Sequence, residues 1–349
     1  MSAMYRGMVQ TVVGPVDPAS LGQTLMHEHV FIDLNPPALR GTDPRDGVSD
    51  AEIDLCNCFR ARAGQHYARD NMRLQDFTVL KAELMEMQRA GGRSIVDLTV
   101  GGLGPRPAEL RWMAQETGLN IVMGCGHYVS EYHLPEVAGK GTDALAQEII
   151  QALTVGAWGT DVRAGIIGEI GCQSPWQPIE QAVMQGAVIA QQETGAALSV
   201  HPGRHKNQPQ EVAEFVAARG ARMDRVILGH TDRTIFDTDT LFRLADTGVV
   251  IEYDLFGWEE SYYFPNPAID MPNDGARLKW LRALIDRGHL DQILISHDIC
   301  TKTRLEAFGG HGFQHIFANV LPLMRRREFT EDEIRTILVD TPRRLLTIV

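Results

Sequence analysis

The residues most able to do chemistry open the chain: His27, Glu28 and His29, inside the apolar run Thr24 to Ile32. On a strand, residues i and i+2 project to the same side, so two imidazoles leave one face of a segment that otherwise reads as core. Burying two such rings without partners is costly. A divalent cation is a natural partner, because neutral imidazole is its commonest protein ligand. A structural pair bonded to backbone is the alternative.

Four further segments repeat the pattern of an apolar run ending in a carboxylate or an imidazole. They are Gly168-Glu169-Ile170, Ser199-Val200-His201, Leu228-Gly229-His230 and Ser296-His297-Asp298. If the runs are parallel strands of a barrel, their C-terminal ends meet on one rim. His27, His29, His201, His230, Glu169 and Asp298 would then form one group. Four imidazoles and two carboxylates suit two divalent cations.

The elements that must position these residues read as alternating strands and helices. The strand-like runs are 25–31, 94–99, 120–123, 164–170, 197–201, 225–230, 249–254 and 292–298. Between them lie helical patterns, such as Phe77, Leu80, Leu84 and Met87 on one face, stopped by Gly91-Gly92. Thr330 and Glu333 have the spacing of a capping box. This alternation predicts an α/β chain folded as a (β/α)8 TIM barrel in one domain over residues 1–349. A doubly wound open sheet competes, but no glycine-rich phosphate loop follows the first strand. Residues 35–70 are expected to form an insertion after strand one. Residues 259–274, with Tyr262, Tyr263 and Phe264, are expected to form a long loop after strand seven at the C-terminal rim.

Composition narrows the partners. A chain of 349 residues with 44% hydrophobic and 22% charged residues is an ordinary globular protein. Its net charge of −12 argues against nucleic acid or an anionic membrane surface. The five scattered cysteines imply free thiols, not a disulfide framework. The start lacks a signal-peptide core and no apolar stretch is long enough to span a bilayer, so a cytoplasmic protein is expected.

The ordered set Met26-His27-Glu28-His29, Gly168-Glu169-Ile170-Gly171, Ile227-Leu228-Gly229-His230, Ile295-Ser296-His297-Asp298 and Asp340-Thr341-Pro342-Arg343-Arg344 resembles the phosphotriesterase family of the amidohydrolase superfamily. The likeness runs nearly end to end. It implies a binuclear metal hydrolase holding two divalent ions, zinc first, with manganese, cobalt or iron able to take the same ligands. By analogy His27, His29 and Asp298 would hold the more buried ion, and His201 and His230 the more exposed one. Glu169 would bridge them, where many members carry a carbamylated lysine; it resembles the branch of the phosphotriesterase homology proteins. A bridging hydroxide would attack the substrate, with Asp298 as proton shuttle. A homodimer is also implied.

Substrate residues are less distinct. Tyr128, after strand three, matches a tyrosine that in the lactonase-like branch bonds the substrate carbonyl; its alternative is packing at the rim. His127 beside it reads as structural. Arg204 and Arg304, on loops after strands five and eight, could pair with a substrate carboxylate, or be solvated loop charges. Trp258, Tyr262 and Tyr263 could wall a leaving-group pocket or form a subunit interface. The family's phosphotriesterases relay a proton through an acid after the strand-six histidine and a base near the end of strand seven. Here Asp232 and Arg233 follow His230, and Leu255 cannot relay. Asp232 is expected to support the metal-site histidines or to cap the next helix. The leading expectation is hydrolysis of a lactone or carboxylic ester. The alternatives are an N-acyl amino acid amidohydrolase, a phosphotriesterase as a side activity, or a barrel that binds a small-molecule ligand without catalysis.

Overall fold

The computed structural model describes residues 6–40, 47–64, 67–261, 263 and 265–349. Tyr262 and Phe264 lie outside the described residues, so their part in a pocket wall is not assigned. Eight strands carry the site: β1 Thr24–Glu28, β2 Ser94–Asp97, β3 Asn120–Met123, β4 Ile167–Gly171, β5 Leu198–His201, β6 Val226–Leu228, β7 Val250–Tyr253 and β8 Ile293–Ile295. All pair in parallel, β1-β2-β3 in one sheet and β4-β5-β6-β7-β8 in another. Backbone hydrogen bonds also cross between the two sheets. On one side Gly165 N donates to Met123 O at 2.9 Å and Gly168 N to Cys125 O at 2.7 Å. On the other, Asp298 N donates to His27 O at 3.1 Å, and the Ser296 hydroxyl receives His27 N at 3.1 Å.

Each expected run overlaps one of these strands, with β1 starting one residue before its run and β4 ending one residue after. His29, His230 and Asp298 lie just beyond the regular pairing, whereas His27, Glu169 and His201 lie within it. Two strands are also irregular where it matters. The β1-β2 register shifts between Leu25 and Glu28, and the β4-β5 register between Ile167 and Ile170. Simple alternation would put Met26 and His27 on opposite faces. Instead Met26 joins the inner cluster of Val96, Val122, Ile227, Val250 and Leu294, and His27 stands above it in the site. A bulge re-aims a side chain in this way, and both bulges fall at candidate ligands.

A helix of eight or more residues follows each of the first seven strands: α1 Phe77–Ala90, α2 Pro107–Thr117, α3 Thr142–Thr154, α4 Pro178–Thr194, α5 Gln208–Ala217, α6 Thr238–Ala245 and α7 Asp274–Asp286. Asp76 caps α1 by accepting from Thr78 N and Val79 N, and Gly91 ends it at φ 120°. Thr330 and Glu333 form the expected capping box. Leu80, Leu84 and Met87 are buried, joining α1 to the large cluster between strands and helices. The insertion after β1 is held by short pairs, Ile32–Asp33 with Arg73–Leu74 and Val48–Ser49 with Tyr67–Ala68. Among the described residues no helix is long and apolar enough to cross a membrane.

The Ser296 hydroxyl stitches the first strand to the last and also lies 2.8 Å from Glu28 Oε1. Ser296→Ala leaves the buried His27 N–H without its acceptor, so we expect a loss of about 2 kcal/mol in stability. Urea unfolding of both proteins measures it; an unchanged midpoint would show that the seam does not depend on this hydroxyl.

Candidate metal centre

The structure brings the six candidate ligands together. Glu169 lies at the middle of the group. Its Oε2 is 2.9 Å from His201 Nδ1, 3.3 Å from His27 Nε2 and 3.4 Å from His230 Nε2. Its Oε1 is 3.4 Å from His29 Nε2. Asp298 Oδ1 stands 3.2 Å from His29 Nε2 and 3.9 Å from His27 Nε2. All six are buried, with Asp298 the most open at 9% exposure.

Beneath them lies a layer of carboxylates, and sequence reasoning left most of it without a role. Asp254, just past β7, accepts from His230 N and Nδ1 at 2.9 Å, and its other oxygen is 3.0 Å from His27 Nδ1. Glu252, two residues earlier on the same face, lies 3.7 Å from His27 Nδ1. Their signal was the one used elsewhere, an acid closing an apolar run. Asp254 approaches so closely that a Cβ on Gly229 would lie 2.7 Å from its Oδ2. Glu28, the centre of the opening triplet, accepts from His297 N, His297 Nδ1 and Ile299 N, and so holds both neighbours of Asp298. Thr99 Oγ1 meets His29 Nδ1 at 2.9 Å. His230 and Asp298 both sit at positive φ, 56° and 52°. That conformation costs non-glycine residues about 1 kcal/mol each and is maintained only where the surroundings demand it.

The substrate-side expectations divide. The Tyr128 hydroxyl lies 3.4 Å from both His201 nitrogens. Arg204 Nε donates to the Tyr263 hydroxyl at 3.1 Å. Trp258 packs edge-on to Tyr263, 5.4 Å between ring centres, and borders a cavity of about 360 Å3 shared with Arg62, Tyr67, Met72 and His311. Arg304 also lines it, and it has a structural task as well. Its Nη1 donates to Asp298 O at 2.6 Å and its Nη2 to His297 O, so it holds the turn that presents Asp298. Asp232 needs correcting. It meets neither a site histidine nor a helix cap; it accepts from Arg277 Nε at 2.7 Å and Leu255 N at 3.1 Å. His127 pairs with Glu148, away from the centre. Lys302 pairs with Asp70. Arg233, given no substrate role from sequence, donates to His201 Nε2 at 3.2 Å.

Electrostatics separate the rings. Burial alone lowers the pKa of His27, but the Glu169 and Asp254 carboxylates outweigh it and hold it well above its usual value. His29 is raised to about 9, Asp298 and Glu169 overcoming the same burial. Burial and the neighbouring His230 push His201 well below. Burial opposes ionisation of Glu169, yet His27 and His201 hold its pKa well down.

These residues fit divalent cations. Ligand atoms of His27, His29 and Glu169, and of Glu169, His201 and His230, cluster within 4.8 Å, with Glu169 common to both groups. Neither His27 nitrogen makes a well-formed hydrogen bond although the ring is fully buried, and a metal ion supplies the missing partner. Because the pKa of His29 is raised to about 9, its ring carries a second proton in the metal-free protein at pH 8, and metal binding must expel it. Calorimetry at pH 8 in buffers of different ionisation enthalpy is expected to show proton release that fades as pH rises through about 9. Asp254→Asn should weaken metal affinity by about 10- to 100-fold in chelator competition, by loosening the rings of His27 and His230. Equal affinity would remove Asp254 from the support of the site.

A family model described as the phosphotriesterase family matches residues 7–346. An N-acetyltaurine hydrolase of Xenopus tropicalis is 39% identical over 347 residues, covering 98% of each chain. One of Bos taurus is 37% identical over 342 residues, again covering 98% of each. The crystal structure of a resiniferatoxin-binding protein from Rhodobacter sphaeroides superposes with a TM-score of 0.90 at 34% identity, covering 98% of this chain and 96% of that one. The chain therefore belongs to the phosphotriesterase family and is a metal-dependent hydrolase.

Proposed function

We propose that this protein is a binuclear amidohydrolase that cleaves N-acyl amines, built on a closed (β/α)8 barrel. The barrel reading is supported by the backbone bonds that cross both gaps between the two sheets. The observation that carries the chemistry is one buried carboxylate, Glu169, shared by two groups of imidazoles. The choice of amide over the lactone or ester expected first follows the relatives named N-acetyltaurine hydrolase, which match almost the full length of the chain.

His27, His29 and Asp298 would hold one divalent ion, His201 and His230 the other, with Glu169 between them. Such ions lower the pKa of a water toward neutrality and polarise the carbonyl it attacks. The chain supplies the rest. Asp298, the most open of the six, takes the proton released by the attacking water and passes it to the leaving nitrogen. An amide needs that transfer more than an ester does, because an amine must leave protonated. Tyr128 is a hydrogen-bond donor for the oxygen that gains charge in the tetrahedral intermediate. Burial holds its hydroxyl protonated well above the usual range. Glu169 is a carboxylate without carbon dioxide, so metal loading should not depend on bicarbonate.

Elemental analysis is expected to find about two divalent ions per chain. Activity should vanish on chelation and return with metal but without bicarbonate. Across N-acetyltaurine, a lactone, an aryl ester and a phosphotriester, the amide should have the highest kcat/KM; a lactone preference would restore the ester reading. Asp298→Asn should lower kcat by about 100- to 10,000-fold.

A further inference from the structure

The loop after β8 leaves two buried polar atoms without hydrogen bonds. Arg304 is 6% exposed and directs both Nη groups to the carbonyls of His297 and Asp298, but its Nε has no partner among the described residues. His311 directs Nδ1 at Gly312 O, 3.1 Å away, and its Nε2 is buried and unpartnered. The backbone holds these two residues together. Gly312 N donates to Arg304 O at 2.9 Å, and a Cβ on Gly310 would lie 2.1 Å from Arg304 C. Burial, followed by the charge of Arg304, holds the pKa of His311 well below its usual value, so the ring is neutral. With the ring proton on Nδ1, Nε2 is an acceptor, and beside it Arg304 Nε is a donor. Leaving both unbonded in the interior is costly.

Both residues border the cavity of about 360 Å3 that lies between the insertion after β1 and the loops after β7 and β8. Trp258 and Met72 give it apolar walls, and the Arg304 guanidinium stands 4.9 Å from the centre of the Trp258 ring. Arg62 and Arg304 on its border are matched by Glu259 and Glu260, so the charges of these four cancel. None of the six candidate metal ligands borders it, nor does Tyr128. An apolar cavity of this size with a few convergent polar groups is the usual form of a small-molecule site.

We propose that this cavity is a second ligand site, apart from the metal centre, for a flat, uncharged heterocycle with a lactam edge. The ring carbonyl accepts from Arg304 Nε, the adjacent N–H donates to His311 Nε2, and the ring lies against Trp258 and Met72. Walls whose charges cancel offer an ion no counter-charge, which favours a neutral molecule. Donor and acceptor come from one loop, so the ligand must show its own acceptor and donor along one edge. A lactam does so because its ring fixes the amide cis. An open-chain secondary amide is trans and points the two groups in opposite directions. The cavity therefore selects against the N-acyl amines proposed as substrates, and its assignment does not depend on the amidohydrolase reading. Arg304 also holds the turn of Asp298, so the occupant touches the side chain that presents Asp298.

The test is calorimetric titration of α-pyridone, N-methyl-α-pyridone and acetanilide into metal-loaded and chelated protein. α-Pyridone should bind about 10-fold more tightly than its N-methyl form, which lacks the N–H, and than acetanilide, which is trans. Its affinity should be the same with and without metal. His311→Phe keeps a ring and loses the acceptor. It should weaken α-pyridone about 10-fold and leave N-methyl-α-pyridone unchanged, whereas a merely structural loss would weaken both. If His311→Phe fails to fold, the two pyridones in the wild type still decide. No saturable binding of α-pyridone, equal affinity for both pyridones, an equal loss of both in His311→Phe, or binding that disappears on chelation overturns the site. Amide cleavage without pyridone binding would leave the amidohydrolase reading standing alone. Pyridone binding in a protein that cleaves no amide would do the reverse.

Discussion

A carboxylate confined among imidazoles in a dry interior is the constraint on which the rest of this structure depends. Both Glu169 oxygens lie within reach of histidine nitrogens and almost none of the residue meets solvent. A charge so placed is tolerable only when fully compensated. Much of the surrounding architecture serves that compensation. Asp254 grips two rings from below, Glu28 clamps the end of β8, and glycine at 229 makes room for a carboxylate to pass. Backbone strain at His230 and Asp298 is accepted for the same reason.

The charges are layered with depth. Acids lie lowest, in Glu28, Glu252 and Asp254; burial raises the pKa of Glu252 to about 7, next to an Asp254 held low by its two histidines. Imidazoles form the middle layer. Cations lie above, unevenly. On the side of β5 and β6 Arg204 and Arg233 have no acidic partner among the described residues. On the side of β8, Arg304 and Lys302 are committed to backbone carbonyls and to Asp70. Cationic side chains therefore stand on both flanks of the site.

Much of this was legible in the sequence because it repeats. Apolar runs ending in His201, His230 or Asp298 announce both a strand and what the strand delivers. The helix from Phe77 and the capping box at Thr330 were equally plain. What escaped has a physical cause. The two bulges break the period of two, so alternation from Leu25 gives the wrong face for His27 although the residue itself was identified. Asp254 obeys the same run-ending rule but acts from below, where its partners come from strands far apart in sequence. Asp232 misled because a loop acid looks the same whether it meets a site histidine, a helix end or a buried cation; only the burial of Arg277 decides. The insertion after β1 showed its composition but not the short strand pairs that hold it.

The stitch between His27 and Ser296 joins residues 269 positions apart. One end of the centre thus leaves the ribosome well before the other. While the residues between them are being made, the early histidines have no Asp298 beside them and no Ser296 to anchor their strand. Contacts of such separation are also the slowest to form in refolding. The centre is therefore a product of completed folding and not a nucleus for it, and a chain that stalls short of β8 carries histidines without a site.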